Sequence, residues 1–156
     1  SNSTQLTNEG SNQNPSWAPD GIHILFDSDR NGNRDVFQME LNGENQIALT
    51  NHPANEFAPV WSPNGTMLAY LSEQDVTQEE CTQDASGECP QEIFLLDSKG
   101  TFLRKVADLK QHLGGIIWSP DNQYFAVLVF ILRTQKWFFM TCSLKHSGHL
   151  LTFPSC

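Results

Sequence analysis

Five oxygen-bearing side chains alternate along one short stretch of the chain: Asp27, Asp29, Asn31, Asn33 and Asp35, with Gly32 among them. Alternation around a tight turn points such groups inward, and Ca²⁺ takes about six to eight hard oxygen ligands. The stretch therefore reads as a candidate calcium loop at its early positions. The match is partial. The twelfth position counted from Asp27 is Gln38, where such a loop carries a bidentate Glu, and Gln38 falls in a strand pattern. The competing reading is a polar loop between two strands. There Asp29 or Asp35 pairs with Arg30 or Arg34, and Gly32 sets the turn.

The cysteines offer a second chemistry. They are Cys81, Cys89, Cys142 and Cys156, and the first two bracket a polar insert from Thr82 to Glu88. A disulfide between Cys81 and Cys89 would pin that insert, worth about 2–3 kcal/mol by loop closure, and would fit an oxidising compartment. The alternative is two free thiols in a loop. The spacing does not suit zinc, and no His lies nearby. Catalysis has little to rest on. A serine-peptidase nucleophile needs a tight turn of the Gly-x-Ser-x-Gly kind, and the chain has none. The nearest cluster is His146-Ser147-Gly148-His149, while His23, His52 and His112 do not align with one another. No catalytic residue is expected.

These groups must be positioned by elements, and the elements announce themselves by repetition. Trp17-Ala18-Pro19-Asp20-Gly21 is followed by Trp61-Ser62-Pro63-Asn64-Gly65 and Trp118-Ser119-Pro120-Asp121-Asn122. A second marker closes each unit: Leu6-Thr7, Leu49-Thr50, Val106-Ala107 and Leu151-Thr152. The period of about 44 residues, lengthened in the second unit by the cysteine insert, is that of a four-stranded propeller blade. After each Trp, Pro presets φ and Asp or Asn then Gly or Asn complete a turn. Short apolar strands follow at Ile22–Phe26, Met67–Leu71 and Tyr124–Leu128, and third strands at Asp35–Met39 and Glu92–Leu96. Asn42-Gly43 and Lys99-Gly100 supply hairpin turns. No sustained helical period is visible.

The expected fold class is all-β: antiparallel four-stranded blades of a β-propeller in about three repeats, either a partial propeller or half of a six-bladed one. Residues 8–50 form blade 1 and residues 51–107 form blade 2 with the Cys81–Cys89 insert. Residues 108–156 form a degenerate or truncated blade 3 with an atypical tail from about residue 130. Trp17, Trp61 and Trp118 stand at equivalent positions, which marks packing between neighbouring sheets. Loss of one should cost about 3–5 kcal/mol.

The run Asn14-Pro15-Ser16-Trp17-Ala18-Pro19-Asp20-Gly21, with Ile24-Leu25-Phe26, the stretch Ser28 to Phe37 and Leu49-Thr50, resembles the TolB-type β-propeller repeat. The second unit matches it at Pro59 to Gly65, at Leu68-Ala69-Tyr70, at Ser72 and at Glu92-Ile93-Phe94, and the third through about Leu128. The resemblance implies a non-catalytic module for protein–protein or ligand binding in an extracytoplasmic bacterial protein, periplasmic or secreted. The repeat also occurs in the gating propellers of prolyl-oligopeptidase-type serine peptidases, so a propeller lacking its catalytic domain is an alternative. A calcium-stabilised surface module is another; otherwise no cofactor is expected.

The formal net charge is −9, which argues against a nucleic-acid backbone or an anionic membrane as partner. The longest apolar run, Tyr124 to Leu132, is far below the roughly 20 residues that span a bilayer. The chain opens inside the tail of a preceding repeat at Gln5-Leu6-Thr7, so any leader would lie upstream. All 18 acidic residues lie at or before Asp121. After it come Val129-Phe130-Ile131-Leu132 and Trp137-Phe138-Phe139-Met140, where the repeat calls for polar loop residues. That tail is either a foreign end or a degenerate blade half with a third strand at Lys136–Thr141 and a fourth at His149–Thr152. Three repeats leave blade faces without neighbours. The chain is then a piece of a larger propeller, or a homodimer whose two copies complete a six-bladed ring.

Overall fold

The computed structural model describes residues 3–82, 89–131 and 136–144. The elements are β1 (Asn12–Trp17), β2 (His23–Ser28), β3 (Asp35–Glu40), β4 (Ile47–Ala48), β5 (Glu56–Trp61), β6 (Met67–Ser72), α1 (Gln78–Thr82), β7 (Gln91–Asp97), β8 (Phe102–Trp118), β9 (Tyr124–Ile131) and β10 (Lys136–Ser143). All strand pairs are antiparallel neighbours in sequence. Blade 1 is β1-β2-β3-β4. Blade 2 is β5-β6-β7 with the first part of β8, and blade 3 is the second part of β8 with β9 and β10.

The shared strand β8 has a sequence reason. Between blades 1 and 2 the chain reads Asn51-His52-Pro53-Ala54-Asn55, and Pro53 cannot donate to a ladder. Between blades 2 and 3 it reads Ala107-Asp108-Leu109-Lys110-Gln111, with no Pro or Gly. The outer strand of blade 2 therefore runs on as the inner strand of blade 3. The positions of the fourth strand expected at His149–Thr152 lie outside the described residues.

The tryptophan motif works as local chemistry. In blade 1, Asp20 Oδ1 accepts the N–H groups of Ile22 (2.9 Å) and His23 (3.1 Å). Asn64 and Asp121 do the same for Thr66 and Gln123. Ser62 and Ser119 close the turn from the other side, each accepting one N–H and donating to one carbonyl across it. Gly21 and Gly65 lie at φ +73° and +69°, and Asn122 takes the same left-handed conformation at +60°, which Asn tolerates. Three residues before each Trp the inner strand bulges, at Asn14 (φ 49°), Ala58 (φ 51°) and Gly115 (φ 147°), where the register with the next strand shifts.

One element was not expected. Helix α1 lies in the insert and starts with a capping box: Glu80 N–H donates to Thr77 Oγ1 (3.3 Å), and Thr77 N–H donates to Glu80 Oε2 (2.7 Å). Thr77-Gln78-Glu79-Glu80 is the sequence form of that device. A helix of five residues has no period to betray it.

Blades pack face to face through apolar clusters. Trp61, Leu68, Tyr70, Phe94 and Leu96 of blade 2 meet Ala18, Leu25 and Val36 of blade 1. Trp118, Phe125, Val127 and Val129 of blade 3 meet Ala69, Leu71, Ile93 and Leu95 of blade 2. A third cluster, Ile24, Phe26, Phe37 and Met39, fills the other face of blade 1 and is covered by Leu6. Leu6 lies against Gly43 and Leu49 against Gly100, both glycines at positive φ. The Leu of one closing marker thus seats on the hairpin turn of the following blade.

Candidate functional site

The polar side chains singled out above converge on the junction of blades 1 and 2. Asp27 ends the apolar run of β2 and is fully buried. It is ion-paired with Arg34, whose Nε donates to Oδ2 at 3.0 Å. Its Oδ1 accepts Asn14 Nδ2 at 2.7 Å and the N–H of Ala58 at 3.0 Å. Asn14 and Ala58 are the bulge residues of β1 and β5, so one carboxylate ties the inner strands of two blades. Asp29 Oδ1 accepts the N–H of Ser11 at 2.7 Å. Asn33 Nδ2 donates to the carbonyls of His52 (2.7 Å) and Ala54 (2.9 Å). Arg34 N–H donates to Asn55 Oδ1 at 3.2 Å, and its carbonyl accepts Glu56 N–H at 2.7 Å. The loop from 29 to 34 is therefore sewn to the 51–55 connection.

Asp35 and Glu56 form a different kind of pair. Both are buried, and each has one carboxylate oxygen without a hydrogen bond, Oδ1 and Oε2. Asp35 Oδ2 accepts Asn31 Nδ2 at 3.3 Å. Burial raises the pKa of Asp35. Burial also raises that of Glu56, opposed by a hydrogen bond from Thr50 and reinforced by the charge of Asp35. Tyr70 next to them is shifted up too, first by burial and then by Glu56. Uncompensated burial disfavours the charged form of a carboxyl. An open depression of about 350 Å³ leads to Glu56, rimmed by Asn51, His52, Gln74, Gly100 and Phe102. Phe102 is 56% exposed there.

The sequence-derived residues are thus distributed as follows. Asp27 and Asp35 lie in β2 and β3 at the two ends of the loop that carries Asp29, Asn31 and Asn33; Asn31 and Asp35 bond each other, while Asp27, Asp29 and Asn33 turn to separate partners. Among the described residues, no group of three or more His, Cys, Asp and Glu side chains is placed to hold a metal ion. Cys81 and Cys89 are joined in a disulfide, and Cys142 is a buried free thiol whose pKa burial pushes up to about 11. Cys156 and the cluster His146-Ser147-Gly148-His149 lie outside the described residues. Trp61 and Trp118 are buried between blades, whereas Trp17 is 62% exposed because no described segment lies against it. The Asp35–Glu56 pair escaped the sequence reading. Its one trace was a charged residue in the inward register of β5.

Blade 2 repeats the theme with a cation. Glu92, at the position equivalent to Asp35, accepts Lys105 Nζ at 2.8 Å, and Asp75 accepts the same ammonium at 3.0 Å. Burial opposes the charge on Lys105, and the two carboxylates outweigh it and raise its pKa.

A family described as the TolB beta propeller domain matches residues 1–93. An uncharacterised protein of Agrobacterium fabrum is 29% identical over 128 residues, covering 79% of this chain and 42% of the relative. The Tol-Pal system protein TolB of Desulfosudis oleivorans is 30% identical over 99 residues, covering 64% of this chain and 19% of the relative. A solved structure of a putative TolB from Agrobacterium tumefaciens superposes with a TM-score of 0.63 at 22% identity, over 92% of this chain and 47% of that one. The chain spans less than half the length of each.

Proposed function

The chain belongs to the TolB beta propeller domain family, and from that premise we propose that it is a non-catalytic binding module of an extracytoplasmic bacterial protein, engaging a protein partner. The observation that carries this reading is the depression at the blade 1–blade 2 junction. An exposed aromatic, Phe102, stands there beside the amides of Asn51 and Gln74 and the imidazole of His52. An aromatic anchor inside a polar rim is the usual composition of a protein-recognition hot spot. One side of the depression is tied down, because Asn33 and Arg34 hydrogen-bond the connection that carries Asn51 and His52. The Cys81–Cys89 disulfide supports an oxidising compartment. The relative named for the Tol-Pal system points to the class of partner to try first.

The test is calorimetric titration of the purified chain with the protein components of a Tol-Pal system. Saturable binding is expected, weakened about tenfold or more by Phe102→Ala at unchanged melting temperature. Absence of binding by every component, or binding indifferent to Phe102, would overturn the reading.

A further inference from the structure

Blade 2 neutralises a buried carboxylate with a lysine, and blade 1 leaves its counterpart without one. Asp35 pairs with Ser28 in the ladder as Glu92 pairs with Ser72, so the two carboxylates are equivalent. Ala48 pairs with Phe37 as Lys105 pairs with Phe94. Asn31 and Asp75 stand at the same distance after their tryptophans. In blade 2 these places hold a cation between two acids: Lys105 Nζ lies 2.8 Å from Glu92 Oε2 and 3.0 Å from Asp75 Oδ2. In blade 1 they hold Asp35, Asn31 and Ala48. Glu56, whose N–H donates to the Arg34 carbonyl at 2.7 Å, brings a second acid from blade 2. Asp35 Oδ1 and Glu56 Oε2 are buried without a hydrogen bond. The neighbouring guanidinium groups are committed elsewhere, Arg34 to Asp27 and Arg30 to Gln46 and Asn12.

We propose that the Phe102 depression receives a lysine side chain of the protein partner, whose ammonium is bound by Glu56 and Asp35 where blade 2 uses its own Lys105. This deepens the binding reading of the depression and rests on it. Glu56 lines the depression, is 2% exposed and has a carboxylate oxygen to spare. A buried carboxylate without a counter-charge carries a desolvation cost that an arriving ammonium offsets, through hydrogen bonds of the stronger, charge-assisted kind. The spare oxygens are shielded from solvent, so entry turns the Glu56 carboxylate toward the depression, a rotamer change of the kind common at interfaces. Leu49, Leu96 and Phe102 line the same depression and suit the apolar stem of a lysine. A lysine fits better than a metal ion. Among the described residues no three His, Cys, Asp and Glu side chains are placed to hold a metal, whereas two carboxylates suffice for Lys105. The facing strands β2, β3, β5, β6 and β7 are described throughout, and none of them contains a Lys or Arg that could fill the place.

Titration of the isotope-labelled chain with Nα-acetyl-lysine methylamide, followed by amide NMR shifts at constant ionic strength, tests it. Saturable shifts at Thr50, Glu56 and Phe102 are expected, with none from the norleucine analogue, which lacks the ammonium. Glu56→Gln should weaken binding about tenfold or more, the loss of a hydrogen bond to a charged group. Ala48→Lys should abolish it by supplying the cation from within. Leu41→Lys adds the same charge at an exposed position just past the other end of β3 and should bind as the wild type does. The proposal is overturned by a response that never saturates, by an equal response to the norleucine analogue or to calcium chloride, or by an affinity unchanged in Glu56→Gln. If the lysine probe fails while the Tol-Pal proteins bind through Phe102, this inference falls and the binding reading stands. If the probe binds as expected and those proteins do not, the lysine site stands and the Tol-Pal class of partner falls.

Discussion

Glu56 is 2% exposed, and one of its carboxylate oxygens has no partner. Its pKa in the folded chain is raised by burial and by Asp35 above the unfolded value. The folded state therefore binds this proton more tightly. Stability is present in full below the unfolded pKa, is lost as pH rises through the window up to the folded pKa, and stays reduced above it. Asp35 titrates in the same sense. Glu56→Gln removes the ionisation, so it should stabilise the chain by about 1–3 kcal/mol near pH 8, with the gain shrinking towards zero near pH 4. Thermal melts across that range decide it; a gain independent of pH would mean that charge is not the cause. Asp27 is the opposite case, a buried carboxylate with its lone pairs used. Asp27→Ala strands the guanidinium of Arg34 and the N–H of Ala58. It should cost about 3 kcal/mol, the low end for a buried pair, because Arg34 is 30% exposed. A lower urea midpoint with an unchanged slope reports it. If Ca²⁺ instead raised the melting temperature of the wild type but not of the variant, this loop would be a calcium site.

At the scale of the blade, the three tryptophans separate position from burial. Trp61→Ala and Trp118→Ala each empty a junction and should cost about 3–5 kcal/mol. Trp17→Ala should change the stability of the isolated chain by less than about 1 kcal/mol, because its ring is mostly solvated. Urea unfolding of the three variants, the first two also followed by the remaining Trp fluorescence, tests the contrast; equal costs would mean that Trp17 is covered in solution. The blade itself was legible because its signals are local. Pro then Asp then Gly fixes one turn, Asn42-Gly43 another, and the alternation between them fixes which side chains face a neighbour. The site was legible only in part. The contacts of Asp27 with Ala58 and the closeness of Asp35 to Glu56 join segments of adjacent blades, and neither segment carries a mark of the other. Acidic side chains that serve as clamps across a junction therefore look, in one dimension, like ligands around a turn. Helix α1 is hidden for the contrary reason: Thr77-Gln78-Glu79-Glu80 spells its capping box, but one turn and a half of helix has no amphipathic period.

The described residues form a row of blades with three apolar clusters, and the disulfide belongs to none of these. Cys81 is buried at the insert, yet neither Cys81 nor Cys89 is part of any of these clusters. The disulfide should thus act on the unfolded chain, by closing a loop of separation 8, and not by supporting any one junction. Loop closure of that length is worth about 2–3 kcal/mol, which for a chain of this size lowers the melting temperature by about 5–10 °C. Cys81→Ser/Cys89→Ser should therefore melt lower by that amount with its sheet content unchanged. The chain has four tryptophans, and Trp61 and Trp118 stand in different junctions, so each can be read alone in a background where the other three are replaced by Phe. If the blades unfold as one cooperative unit, both probes should shift by the same amount. If the insert stabilised only the blade that carries it, as in a repeat array whose units melt independently, the two midpoints would part. Denaturation followed by circular dichroism and by each single-probe background distinguishes these outcomes. A shift seen by one probe alone would show that the row of blades does not behave as a single domain.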